Sequence, residues 1–251
     1  MKKKIIQPIE SAEIRLNRFI ANAGICSRRD ADKLILSGKI SVNDQVVRVL
    51  GTKVMATDKV TYFKKTIQSE KLQYVLLNKP KDFITTTNDP QNRRTVMTLV
   101  KKACVERIYP VGRLDRYTTG LLLLTNDGDL AKRLTHPRYK IKKIYQLKLD
   151  KPIIEAHYNA VLGGVELDDG LASIDQLAIL TEDRKSLGIE IHIGKNRIVR
   201  RIFEKYGYEV LKLDRVMFGS LTKQNLPRGK WRFLNPKEVE NLKGKFSMRM
   251  K

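Results

Sequence analysis

The chain has 251 residues, 41% of them hydrophobic and 31% charged, a balance that suits a folded chain with a sizeable core and excludes a disordered one. Fifty Lys and Arg against 27 Asp and Glu give a net charge of +23, which is the electrostatic footprint of nucleic-acid binding. Two cysteines (Cys26, Cys104) and three scattered histidines (His136, His157, His192) exclude a disulfide framework and offer no metal-ligand spacing. Met1-Lys-Lys-Lys leads into no apolar stretch before Glu10, so no signal peptide is expected. The longest apolar run, Leu121 to Leu124, is too short to cross a bilayer. A cytoplasmic protein with no membrane partner is expected.

In chain order, Leu16, Phe19, Ile20 and Ala23 stand at i, i+3, i+4 and i+7 and predict a short helix with one apolar stripe. Gly24 suits its left-handed cap. A second helix is predicted from the Ser27 cap, with Asp30 in a capping-box-like position, Ala31, Leu34 and Ile35 on one face, and Gly38 at its end. Ile40 to Val42 and Val46-Val47 then flank the turn pair Asn43-Asp44, the pattern of two short strands. The stretch "RLNRFIANAGICSRRDADKLILSGKISVNDQVV" resembles the S4-like (αL) RNA-binding domain first described in ribosomal small-subunit protein four, over residues 13–60. The resemblance implies RNA contacts from Arg15, Arg28, Arg29 and Lys39; a solvated helix face is the competing reading.

Residues 61–72, polar and charged, are expected to form a linker, and a larger domain is expected over 73–242. It opens on a strand at Tyr74 to Leu77 before Pro80. Strand-like runs follow at Ile144-Leu147-Leu149 and Ile189-Ile191-Ile193, with helical patterns near 199–206 and 236–242. Without regular βα alternation, the best fit is an α+β fold: a small αL domain plus a larger domain on a mixed, mostly antiparallel sheet flanked by helices. The basic tail is placed at 243–251. From Gly194 to Lys251 there are 16 basic and 5 acidic residues, a net +11.

The stretch richest in chemistry runs from Gly112 to Pro137, "GRLDRYTTGLLLLTNDGDLAKRLTHP". It places Asp115 on a loop ahead of a strand, where functional groups are often held. An Asp before Thr-Thr-Gly serves equally as a turn residue, and spacing alone leaves the choice open. "GRLD", Thr118 and "GLLLLTNDG", with "LNKP" at Leu77 to Pro80, "KKIYQLKL" at Lys142 to Leu149, "GKNRIVRRIFEKYGYEVLKLDRVMFGSL" from Gly194 and "LPRGKWRFL" from Leu226, together resemble the RsuA/RluB-type ribosomal RNA pseudouridine synthases. The match runs along nearly the whole chain. Asp82 departs from the family's usual glycine, at a turn whose left-handed backbone Asp tolerates.

The resemblance implies isomerisation of uridine to pseudouridine in ribosomal RNA or a ribosome-assembly intermediate, large subunit favoured over small, by a monomer. No cofactor or metal is expected, because nothing is oxidised and no group is donated. Asp115 would act as nucleophile at the ribose anomeric carbon or as base towards a ribose proton. Arg200 would be its basic partner, able to clamp a carboxylate in bidentate geometry. Tyr145 would stack on the uracil and assist proton removal at C5. Leu213 would wall the base pocket, although it also reads as plain core. Arg113, Lys195 and Arg197 would hold phosphates. Two rivals stand beside this reading: a non-catalytic RNA-binding assembly factor with a degenerate synthase domain, and an RNA methyltransferase, which would need a donor site.

Overall fold

The computed structural model describes residues 13–244. The lysine-rich start and the tail from residue 245 lie outside the described residues. Two compact units divide between Lys71 and Leu72.

The first unit consists of β1 (Ile14–Arg15), α1 (Leu16–Asn22), α2 (Arg28–Leu36), β2 (Ile40–Val42), β3 (Gln45–Val46), β4 (Lys53–Val54), β5 (Val60–Tyr62) and β6 (Lys65–Thr66). Leu16, Phe19 and Ile20 of α1 meet Ala31 and Ile35 of α2 over Ile40, Val54 and Val60, so the predicted apolar stripes form one small core. The Ser27 hydroxyl caps α2, accepting from the Asp30 amide at 3.2 Å. Gly24 and Gly38 take φ of +74° and +69°, as left-handed caps require. Asn43 and Asp44, at +49° and +66°, make the β2–β3 hairpin turn whose twist needs two left-handed residues.

The expected linker is corrected here. Residues 61–66 are not a tether: β5 pairs with β2 and with β6, completing a four-stranded sheet in the order β3-β2-β5-β6. Charge at exposed positions masked the strand pattern.

The second unit runs β7 (Tyr74–Lys79), α3 (Val96–Val100), β8 (Tyr109–Pro110), β9 (Thr119–Thr125), α4 (Gly128–Thr135), β10 (Lys143–Leu149), α5 (Glu155–Leu162), β11 (Gln176–Ile179), β12 (Ser186–Ile191), α6 (Ile198–Glu204), β13 (Val210–Phe218), β14 (Leu221–Thr222), β15 (Trp231–Phe233) and α7 (Pro236–Gly244). Lys243 and Gly244, expected in the tail, therefore end a helix. The sheet order is β11-β12-β10-β13-β9-β7-β15, with β8 on β9 and β14 on β13. Every pairing is antiparallel except β9 with β13. The fold is α+β with a mixed, mostly antiparallel sheet.

The central strand β9 explains its own sequence. Leu122 and Leu124 enter a core with Val96 of α3, Val161 of α5 and Phe203 of α6. Leu121 and Leu123 enter the opposite core with Leu130 of α4 and Leu242 of α7. A strand covered on both faces reads as a continuous apolar run rather than an alternation, and each leucine so buried contributes about 1.5–3 kcal/mol. Gly120 is where β9 passes closest to β13. A Cβ there would lie 2.3 Å from the Arg215 carbonyl oxygen, and its φ is +104°. Only glycine fits, so the Thr-Thr-Gly sequence marks the crossing that ends the Asp115 loop.

Candidate active site

Asp115 sits in the loop between β8 and β9, and backbone bonding holds that loop from several directions. Lys79, the last residue of β7 and fully buried, donates from Nζ to the carbonyls of Pro80 (3.1 Å), Asp115 (3.0 Å), Arg116 (3.1 Å) and Thr118 (2.7 Å). Burial pushes its pKa down to about 8, against the charge of Asp115, which favours the ammonium. The Thr85 hydroxyl donates to the Leu114 carbonyl at 2.8 Å and accepts from the Leu114 amide at 3.3 Å. Asp82 adopts the left-handed backbone expected of it, φ +69°. Its amide donates to the Arg116 carbonyl at 2.9 Å, and its carboxylate accepts from Arg116 at 2.6 Å. The departure from glycine thus adds a surface ion pair that steadies the loop.

The main chain is pinned while the Asp115 carboxylate is left open: among the described residues no hydrogen bond or ion pair holds it. It faces a cavity of about 320 Å³ lined also by Tyr145, Leu213, Arg113, Lys195, Arg197 and Thr118. Six of the residues singled out from the sequence are therefore brought together. Tyr145, on β10, follows a register irregularity between Ile144 and Tyr145 in the pairing with β13, the kind of bulge that re-aims a side chain. Leu213 lies opposite Leu147 in that pairing and is both core and cavity wall.

Arg200 departs from expectation. It does not line the cavity, and the bidentate clamp on Asp115 is not formed: its guanidinium donates instead to the Val210 carbonyl. Burial and the like charge of Arg197 lower its pKa, while the charge of Asp115 opposes them. Lys195 also differs. Its ammonium donates to the carbonyls of Asp169 (2.5 Å) and Gly170 (2.7 Å), which makes it a brace of the cavity wall more than an open phosphate ligand. Asp169 in turn takes two bonds from Arg201 at 2.9 and 2.8 Å. Arg15, Arg28, Arg29 and Lys39 are all exposed on the first unit.

Several functional positions were not singled out from the sequence. Lys79 is one. Lys143 is another: it is half-buried, with pKa lowered to about 8 by burial and by Arg215. It donates to the carbonyls of His192 (2.8 Å) and Ile193 (3.2 Å), where the chain leaves β12 towards Gly194 to Arg197. Both lysines stood in quoted motifs, and the available signal was a lysine inside an apolar strand. Asp214 is the third. Half-buried and held at a pKa of about 2, it overcomes desolvation through Arg228, Lys223 and Thr119. Thr119 donates to it at 2.6 Å, anchoring the start of β9.

Cationic space continues on either side. A second cavity, about 380 Å³, shares Asp115 and Arg113 and adds Arg93 and Arg116. A third, about 500 Å³, shares Leu213 and is bordered by Lys81, Lys148, Lys212 and Arg228. The arrangement suits a polyanion drawn across the central strands with one carboxylate aimed into it.

Thr118 completes the lining. It is 2% exposed, and among the described residues its hydroxyl has no hydrogen-bond partner. A buried unpaired hydroxyl costs stability that a methyl of the same shape does not. Thr118→Val should therefore raise stability by about 1 kcal/mol in a denaturant melt. A fall instead would show that the hydroxyl has a structural partner.

Comparison with known proteins identifies the family. A family model described as RNA pseudouridylate synthase matches residues 73–205, and an S4 domain model matches residues 14–60. An uncharacterized RNA pseudouridine synthase of Aquifex aeolicus is 40% identical over 234 residues, covering 92% of this chain and 94% of its own. The ribosomal large subunit pseudouridine synthase B of Bacillus subtilis is 40% identical over 233 residues, covering 91% and 95%. A crystal structure of a pseudouridylate synthase superposes with a TM-score of 0.65 at 27% identity, covering 91% of this chain and 99% of that one. Among the described residues no helix is long and apolar enough to cross a membrane.

Proposed function

Because the chain belongs to the RNA pseudouridylate synthase family, we propose that it isomerises uridine to pseudouridine in ribosomal RNA, that of the large subunit first, with Asp115 as the acting carboxylate. The observation that carries this reading is the shared cavity of Asp115 and Tyr145, walled by Leu213. The large-subunit preference follows the relative in Bacillus subtilis. With ribosomal RNA as substrate, the place of action is the cytoplasm and the acting unit a monomer.

The target uridine leaves its stack to enter the cavity, at a cost of a few kcal/mol. Phosphate contacts from Arg113, Arg197 and the first unit's Arg15, Arg28, Arg29 and Lys39 offset that cost. Asp115 then meets the ribose. Attack at C1′ and removal of the C2′ proton both begin with its ionised form, and both break the bond from C1′ to N1. Tyr145 lies against the freed uracil while it turns. The new bond joins C5 to C1′ as Asp115 either leaves C1′ or hands its proton back to C2′, which restores the carboxylate; the C5 proton leaves with help from the Tyr145 hydroxyl, and N1 ends protonated. Atoms and electrons balance within the nucleotide. Arg200 stays outside the cavity, with its guanidinium on the Val210 carbonyl.

The test is to treat unmodified large-subunit and small-subunit ribosomal RNA transcripts with the purified protein and map pseudouridine in each. One modified site in the large-subunit transcript is expected. Modification of the small-subunit transcript alone would reverse the preference, and no pseudouridine in either would sink the reading.

A further inference from the structure

The hairpin joining β5 to β6 lies in the stretch between the two matched regions, and its two turn residues are Phe63 and Lys64. Tyr62 and Lys65 pair across it, so the turn is a two-residue one with φ of +46° and +62°. Such turns favour Asn and Gly because a Cβ at positive φ is strained, and a bulky residue there is an outlier. Phe63 is also 62% exposed. Its sequence thus carries two unfavourable features at one position, a left-handed phenylalanine and a ring left in water. Strain of this kind persists where it serves a function.

The surroundings of the ring are specific. It leans on Tyr62 with centroids 4.5 Å apart and the planes tilted by 50°. The ammonium of Lys39, just ahead of β2, stands 5.8 Å from its centroid. Lys64 and Lys65 flank the tip and are exposed. The acids of this sheet, Asp44 and Asp58, sit at the other end of β2 and β5, paired with Lys59 and Asn43. One end of the sheet is therefore acidic and internally satisfied, and the other presents an aromatic ring among three lysines.

We propose that Phe63 is a stacking platform for an unpaired RNA base, with Lys39, Lys64 and Lys65 holding the phosphates beside it. Stacking of a base on an aromatic ring within a cationic surface is the general mode of single-strand capture. Lysines interleaved with the ring match a polyanion rather than an apolar protein surface. The inference rests on the RNA-binding reading of the first unit and extends it to a site outside its helices.

The test uses the full-length protein, a fluorescein-labelled oligouridine single strand and a blunt-ended A-form RNA duplex, with affinities read by anisotropy. Phe63→Asn removes the ring but suits the turn. It should weaken single-strand binding about tenfold or more, leave duplex binding unchanged, and keep or raise the melting temperature. Phe63→Trp should bind the single strand at least as tightly as the parent. Unchanged single-strand affinity in Phe63→Asn overturns the proposal and assigns the ring to another occupant such as a protein. A lowered melting temperature also overturns it, because it would make the ring a packing residue. If the parent binds neither RNA, the RNA reading of the first unit falls as well, an outcome distinct from loss of the platform alone.

Discussion

Asp115→Asn is expected to reduce pseudouridine formation by about 10⁴-fold or more, the scale seen when an acting catalytic group is removed. The same variant should bind RNA as well as the parent. Asparagine keeps the shape but can neither attack C1′ nor take a proton, so both routes through Asp115 close together. Binding survives because the carboxylate holds no partner in the protein, and removing a negative charge beside Arg113 and Arg197 lessens repulsion towards phosphates. Stability should change little for the same reason. The pair of measurements separates an enzyme from a binding-only factor. Pseudouridine formation by Asp115→Asn would refute the assigned role, and loss of RNA binding in step with activity would make Asp115 a structural residue.

The second large effect is expected at Lys79. Its ammonium meets four carbonyls, three of them on the Asp115 loop. Lys79→Met keeps the apolar stem and removes every donor. The Thr118 carbonyl then loses a bond in a buried setting, at about 1–3 kcal/mol for an orphaned group, and the half-buried Pro80 carbonyl loses one too. The loop relaxes, and misplacement of a reacting group by about 1 Å costs on the order of 10²-fold in rate. Lys79→Arg should not rescue, because a planar guanidinium cannot converge on carbonyls arranged around a point. Denaturant melts and the pseudouridine assay read the two effects, and a variant with parental stability and rate would remove Lys79 from the design of the site.

Lys79 also implies a pH signature. Its pKa is lowered to about 8 in the folded protein from an ordinary 10.5, and that of Lys143 is lowered similarly. Above pH about 8 both braces begin to lose their protons, so activity should decline. Stability moves the other way. The unfolded chain holds these protons more tightly, so deprotonation favours the folded state. The contribution is fully present above 10.5 and is lost as pH falls through about 8. Alkaline loss of activity without loss of stability is the expected result, and coincident curves would attribute the decline to unfolding.

What was legible in the sequence, and what was not, divides by the range of the interactions. The Ser27 cap, the Asn43-Asp44 turn and the left-handed Asp82 are local: each depends on the conformational preference of one or two residues. The leucine run of β9 announced a strand, and the structure adds that it is buried on both faces, which is why the run is continuous. The motif set assigned the family and named Asp115, Tyr145 and Leu213, which do share a cavity.

Tertiary structure decided the rest. Lys79 and Lys143 read as ordinary charge until the carbonyls that surround them are placed, and those belong to residues up to 50 positions away. The strands at 60–66 were hidden because the polarity of exposed positions outweighs the pairing that forms them. Arg200 read as a clamp from its place in a motif, yet its guanidinium goes to Val210, since contact depends on where α6 packs and not on spacing along the chain. Residue type determined which chemistry this protein carries. Packing determined which charges are buried, and therefore which of fifty basic residues brace the site and which face the RNA.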